Sequence, residues 1–201
     1  MRLMRRKIDD FLKEWKENED RLPLIVKGAR QIGKTASIMQ FANDNYRNVV
    51  AINFVLQQKF KSIFDDGYDV DSVVRNITLI NPNIELEPGN TIFFFDEMQD
   101  CPVCATSLKA FKIDGRYDVV CSGSLMGINY QEIESNSVGY KEDYTMHSMD
   151  FEEFLWAKGY DSAFVERLFE KMVSVTPLSS LEMDVLGRLF RDYMIVGGMP
   201  A

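Results

Sequence analysis

The sequence predicts an α/β fold in which a parallel sheet is flanked by helices, and three observations predict it. Apolar runs at residues 22–26, 48–55 and 91–95 each give way to a stretch that reads as helix, and a fourth apolar run follows at 117–121. Strands alternating with helices at such intervals build a parallel sheet. The run at 91–95, Thr-Ile-Phe-Phe-Phe, has the near-continuous apolar character of a strand covered on both faces. Between the first run and its helix, residues 28–35 read GARQIGKT, which fits G-x-x-x-x-G-K-[ST] without a mismatch.

Taken in order, the chain opens with residues 5–19, where Ile8, Phe11, Leu12 and Trp15 stand at helical spacing among charged residues. This is an amphipathic helix resting on the domain. Arg2, Arg5, Arg6 and Lys7 cluster at its start and read as a solvated helix end, with a nucleic-acid contact as the other reading. Pro23 begins the strand before the loop, and residues 34–46 form the helix after it, with Ile38, Phe41 and Ala42 turned inward. Residues 48–55 are a buried strand. A helical segment at 57–64 ends near Gly67, and Asp69 caps a helix that runs through Leu79 until Pro82 stops it. Pro88 and Gly89 turn the chain into the run at 91–95, after which a helix at 102–112 and Gly115 lead to the strand at 117–121. Beyond Gly123 the pattern loosens: 127–139 is polar loop, and 142–147 supplies a fifth strand. Asp150 with Glu153 makes a capping box for a helix at 151–158, and helices at 162–173 and 179–195 follow. A core at 1–148 and a helical lid at 149–201 are expected. The closing Gly197-Gly198-Met199-Pro200-Ala201 has the punctuation of a cut through a larger protein.

Composition narrows the class. The 201 residues suit one ordinary domain and part of another, and 46% hydrophobic with 27% charged residues is the balance of a globular protein in water. A net charge of −8 argues against a surface built broadly for nucleic acid or anionic membrane. The longest strongly apolar runs are five or six residues, too short to span a membrane, and the N-terminus lacks the apolar core of a signal peptide. Three cysteines give no disulfide framework. A cytoplasmic protein is expected.

The loop at 28–35 reads as a phosphate cradle, the P-loop. Gly28 and Gly33 let the backbone turn tightly, so that the N–H groups of Ala29, Arg30, Gln31, Ile32, Gly33, Lys34, Thr35 and Ala36 can face phosphate oxygens. Lys34 carries a compact positive charge for the β- and γ-phosphates, and the Thr35 hydroxyl is a ligand for Mg²⁺. The helix beginning near Gly33 adds the partial charge of its N-terminus. The run at 91–95 delivers Asp96 and Glu97 to the carboxyl end of its strand, beside the loop in a parallel sheet. Asp96 is a candidate Mg²⁺ ligand, and Glu97 is placed to polarise a water for attack on the γ-phosphate. A carboxylate directly after the strand's Asp favours hydrolysis over kinase chemistry, whose substrate brings its own nucleophile. The Asn-Lys-x-Asp guanine reader is absent from the sequence, which favours adenine. Ser122 and Ser124 end the next strand; their hydroxyls can reach the γ-phosphate or orient water, and equally can bond the local backbone. Gln99 reads as a water or nucleotide contact or as a solvated helix-entry residue, and Arg30 as a candidate for neutralising phosphate. Cys101 and Cys104, with only Cys121 and His147 as further ligands and no motif spacing, read as small residues near a helix start rather than a zinc site.

GARQIGKT, FFFDEMQDCP with the following TSLKAF, SGSL, SMDFEEFL and YMIVGGMP occur in that order. In this the chain resembles the AAA-type ATP-binding proteins of bacteria and archaea that carry a C-terminal domain of unknown function. The resemblance covers essentially the whole chain. It implies a P-loop NTPase with sheet order 5-1-4-3-2, ATP and Mg²⁺ as cofactors, residues 28–35 with Asp96 and Glu97 as the nucleotide and catalytic residues, and Ser122 or Ser124 as the sensor. Family members continue past the Gly-Gly-x-Pro turn into a domain similar to restriction-endonuclease folds. Through that domain a nucleic-acid or protein partner is implied, and self-association is a further candidate. Arg116, Arg188 and Arg191 are candidate arginine fingers by position only. The expected function is ATP hydrolysis that drives or gates an attached effector domain. The alternatives are a nucleotide-dependent binding switch and, third, a small-molecule kinase.

Overall fold

A computed structural model describes residues 4–124 and 139–200. Its frame is a parallel sheet. The chain runs through α1 (Lys7–Glu17), β1 (Leu24–Gly28), α2 (Lys34–Asn45), β2 (Asn48–Asn53), a 3₁₀ segment (Gln58–Phe64) and α3 (Val70–Ile80). It continues through β3 (Thr91–Asp96), a short 3₁₀ turn (Met98–Asp100), α4 (Cys104–Asp114), β4 (Asp118–Ser124) and β5 (Glu142–Thr145). Three helices close it: α5 (Phe151–Ala157), α6 (Ser162–Val173) and α7 (Ser180–Val196).

The strands lie in the order β2-β3-β4-β1-β5, every pair parallel. Read from the other edge this is 5-1-4-3-2, as the resemblance implies. Period-two geometry sorts β3 onto both faces. Ile92 and Phe94 join Leu24, Val26 and Val120 under α1 and α2, while Phe93 and Phe95 join Ile25, Ile52 and Cys121 under α3 and α4. All four β3 side chains are at most 1% exposed, each worth about 1.5–3 kcal/mol of burial. Phe93 also packs its ring 5.4 Å from those of Phe111 and Tyr117.

Helix ends follow the sequence signals. Asp69 accepts from the Ser72 N–H at the start of α3, and Asp150 and Glu153 form the expected capping box of α5. Gly115 ends α4 in the left-handed region, where a Cβ would be strained. Several elements differ from the sequence reading: the strands expected at 48–55 and 142–147 end at Asn53 and Thr145, where their pairing with β3 and β1 stops. The strand expected at 117–121 continues to Ser124, because Val120–Ser124 pair with the whole of β1. The helix expected from 102 begins at Cys104, after a turn in which Cys104 N–H bonds to Cys101 O. The helical stretch at 57–64 is 3₁₀. Residues 127–138 of the expected polar loop lie outside the described residues.

The basic start of α1 departs most from expectation. The sequence reads it as a solvated helix end. In the fold, Lys7 Nζ pairs with Asp150 at 2.6 Å and Glu152 at 2.7 Å, at the acidic start of α5. Arg5 donates to Ser162 and Asp10 and lies over the Trp156 ring. Arg6 is buried. The helical segment is thereby tied to the sheet through α1, and it has a small core of its own around Met149, Phe154, Leu155 and Leu189.

Candidate functional site

The register of the sheet gathers the carboxyl ends of its strands. Gly28 stands opposite Ser124, and Asn53 opposite Asp96. Gly33 and Glu97, far apart in sequence, therefore line one cleft of about 1050 Å³. Arg30, Gln31, Lys34, Thr35, Ala36 and Asn53 line it as well, as do Met4, Arg6, Ser37, Val55, Leu56 and Pro200.

The loop between β1 and α2 is shaped by two residues with positive φ, Gln31 at 64° and Gly33 at 95°. Gly33 is the residue before α2, and its left-handed conformation suits glycine. Gly28 is required for a different reason. It sits in β1 against the Met146 carbonyl and the Ile32 side chain, which a Cβ would strike. Of the expected site residues, Gly28, Ala29, Ile32, Asp96, Ser122 and Ser124 do not line the cleft; the Ile32 side chain is wholly buried among core residues. Lys34 folds onto its own loop, donating to Gly28 O at 3.1 Å and Ala29 O at 2.6 Å. Burial lowers the pKa of its ammonium, against the opposing influence of Glu97 and Asp96.

Asp96 is the hub. It is 5% exposed and accepts from Thr35 Oγ1 at 3.2–3.3 Å, from Asn53 Nδ2 at 2.9 Å and from the Ser122 hydroxyl. Thr35 and Asp96, the two candidate Mg²⁺ ligands, thus stand side by side. A carboxylate and a hydroxyl are hard oxygen donors of the kind Mg²⁺ takes, and an open cleft leaves room for its waters. Glu97 has a left-handed backbone, φ 55° and ψ 47°, and its carboxylate accepts from Gln99 Nε2. The Ser122 hydroxyl is committed to Asp96, and Ser124 contributes its backbone N–H to Gln99 Oε1 at 3.2 Å. Asn53 is a site residue the sequence reading missed; a polar residue closing an apolar strand was its signal.

Arg6 was missed too. Its guanidinium donates to Ile32 O at 2.5 Å and His147 O at 2.8 Å, and its Nε stands 3.1 Å from Glu153 Oε1. That last contact is close enough for an ion pair but is not aligned as a hydrogen bond. Arg6 so joins the phosphate loop, the end of β5 and α5.

The arginine-finger candidates stay away from the cleft. Arg116 precedes β4, at the opposite end of that strand from Ser124 and about 26 Å along it by strand rise, and it pairs with Asp71 and Asp114. Arg188 and Arg191 are exposed on α7. Cys101, Cys104 and Cys121 are buried in the core beneath β3 and β4. Burial pushes the Cys101 thiol up to about 11, and burial followed by the hydrogen bond with Cys121 raises that of Cys104. His147 is exposed.

A family model described as an AAA domain matches residues 20–155. An uncharacterized protein of Haemophilus influenzae is 24% identical over 154 residues, 75% of this chain and 36% of the relative. Similar solved structures include C. elegans PCH-2, at 11% identity and TM-score 0.45 over 87% of this chain and 48% of that one. A point variant of Thermotoga maritima RuvB is similar at 14% identity and TM-score 0.46, over 74% of this chain and 46% of that one. The chain spans about a third of the curated relative and under half of either structure.

Proposed function

The chain belongs to the AAA domain family, and on that premise we propose that it binds ATP with Mg²⁺ in the cleft beside β1 and β3 and hydrolyses it. One observation carries the reading. Arg30, Gln31 and residues 33–36 of the loop line a single cleft with Glu97, far away in sequence, and the buried Asp96 touches Thr35 on that lining.

In this reading the N–H groups of residues 29–36 and the Lys34 ammonium hold the phosphates. Lys34 exchanges its two carbonyl partners for phosphate oxygens, which carry more negative charge. Thr35 and Asp96 would hold Mg²⁺, which would neutralise charge on the phosphates. Asn53 and Ser122 fix the Asp96 carboxylate. Glu97 takes the proton of the attacking water as it adds to the γ-phosphorus, and ADP leaves with the bridging oxygen. Turnover drives or gates an effector domain joined to this one, through which a nucleic-acid or protein partner is engaged in the cytoplasm.

A second reading is a switch that loads ATP and seldom hydrolyses it. It is favoured by the arginines: among the described residues only Arg6 and Arg30 line the cleft. Self-association that supplies an arginine from a neighbouring copy would restore the first reading. Calorimetry and phosphate release test both. Lys34→Ala should weaken Mg–ATP binding by about 1.5–3 kcal/mol, the range for charge-assisted hydrogen bonds. Unchanged affinity would overturn the binding site. Tight binding without phosphate release, at any protein concentration, would favour the switch.

A further inference from the structure

The turn after β3 holds a contact that the proposed chemistry does not by itself require. Glu97 leaves the strand in the left-handed region, φ 55° and ψ 47°, which a non-glycine residue seldom adopts. The two residues that anchor the turn behind it, Met98 and Cys101, are 1% and 4% exposed. Asp100 N–H bonds to Glu97 O at 2.9 Å, and Cys101 N–H to Met98 O at 3.0 Å. A rigid, core-anchored turn of this kind brings the side chains of Glu97 and Gln99 together although they are only two residues apart.

We propose that Gln99 is a positioning residue for Glu97, aiming its carboxylate from a fixed point at the end of β4. The amide works in both directions. Its Nε2 donates to Glu97 Oε2, and its Oε1 accepts from the Ser124 backbone N–H at 3.2 Å. The Ser124 contact settles which end of the amide is which, since a backbone N–H requires an acceptor. Nε2 also stands 3.3 Å from Asp100 Oδ2. Glu97 is therefore held by one oxygen, and among the described residues its Oε1 has no hydrogen-bond partner. Both members of the acidic pair are fastened to the same strand: Asp96 by the Ser122 hydroxyl, Glu97 through Gln99 by Ser124. A base held at one oxygen and open at the other keeps its direction relative to the phosphate site, and misplacement of a catalytic group by about 1 Å costs on the order of 10²-fold in rate.

The inference rests on the reading of Glu97 as the base, and its test is built around Gln99→Glu in the full chain. That side chain keeps the shape and keeps an acceptor for the Ser124 N–H, but turns an oxygen toward Glu97 where a donor stood. Steady-state kcat and KM for Mg–ATP, ATP affinity and melting temperature are measured for wild type, Gln99→Glu, Gln99→Ala and Glu97→Gln. Gln99→Glu should lose about 10- to 100-fold in kcat with ATP affinity within about threefold of wild type. Gln99→Ala should lose kcat in the same direction without a matching rise in KM. Wild-type kcat in Gln99→Glu, with Glu97→Gln inactive, overturns this inference alone. Wild-type kcat in Glu97→Gln overturns the reading of Glu97 and the inference with it. A fall in kcat matched by equal losses of affinity and melting temperature in both Gln99 variants makes the residue part of the turn's frame and overturns the proposal.

Discussion

Arg6→Ala removes a buried cation that joins three parts of the molecule. Arg6 and Glu153 side chains are 4% and 6% exposed, so the substitution strands a carboxylate where water does not reach. Breaking a buried pair from one side costs about 3–5 kcal/mol. Two features place this case toward the lower end. Glu153 keeps the backbone N–H groups of Lys7 at 2.7 Å and Asp150 at 3.2 Å, and the Arg6 Nε contact is not an aligned hydrogen bond. Against that, Ile32 O and His147 O each lose a charged donor. A loss of about 3–4 kcal/mol follows, a large fraction of the 5–15 kcal/mol that holds an ordinary domain together. At about 2–4 °C per kcal/mol for a chain of this size, the melting temperature should fall by roughly 6–16 °C. Circular dichroism melts and urea titrations measure it. Pairing Arg6→Met with Glu153→Leu should recover much of the loss, since an apolar pair of similar volume often replaces a buried ion pair without penalty. A shift under about 2 °C in Arg6→Ala, or a double variant worse than either single one, would refute the reasoning.

Two further outcomes follow from the geometry. Gly28→Ala drives a Cβ into the Met146 carbonyl and within 2.6 Å of Ile32 Cδ1, and overpacking of that kind should cost about 1–3 kcal/mol in a urea titration; no loss would mean that β1 and the end of β5 are not packed as described. Glu182 is pulled down to about 2 from its ordinary 4.5 by hydrogen bonds from the Lys171 ammonium and the Ser179 backbone. A carboxyl lowered on folding stabilises the fold above its unfolded pKa, so this contribution is complete above pH 4.5 and is lost as pH falls from there toward 2. Amide exchange in α6 and α7 should then accelerate more steeply over that window, relative to its intrinsic rate, in wild type than in Glu182→Gln; equal profiles would remove Glu182 from the account.

Four strands of the sheet were legible because each is an apolar run bounded by turn residues, while β5 reads Glu-Asp-Tyr-Thr and carries no such signal. The loop was legible because it fits a phosphate-binding pattern without a mismatch. Asp96 and Glu97 were legible for the same reason, as charges at the end of a run that buries everything else. What was not legible depends on contacts distant in sequence. Arg6 has the local setting of any basic helix start, and nothing near it in the chain announces Ile32, His147 and Glu153. Ser122 and Ser124 look interchangeable in Cys-Ser-Gly-Ser, yet the pleat sends the Ser122 hydroxyl to Asp96 and leaves Ser124 acting through its backbone. The reading of β4 stopped short at Cys121 because the serines and Gly123 resemble a turn; pairing with β1 carries the strand on to Ser124. Lys34 was expected at phosphates and here rests on loop carbonyls, the oxygens within its reach.

Retention of unhydrolysed ATP by Glu97→Gln tests the central claim most directly. The substitution keeps shape, leaves Lys34, Thr35 and Asp96 in place, and removes only the carboxylate that would take the proton from water. Mixed with radiolabelled Mg–ATP and quenched over time, wild type should yield ADP and phosphate. Glu97→Gln should bind with near-normal affinity and still hold ATP, its rate down by about 10²- to 10⁴-fold. ADP formation by Glu97→Gln as fast as by an active wild type would contradict the account, leaving Asp96 and Glu97 as a magnesium site without a base.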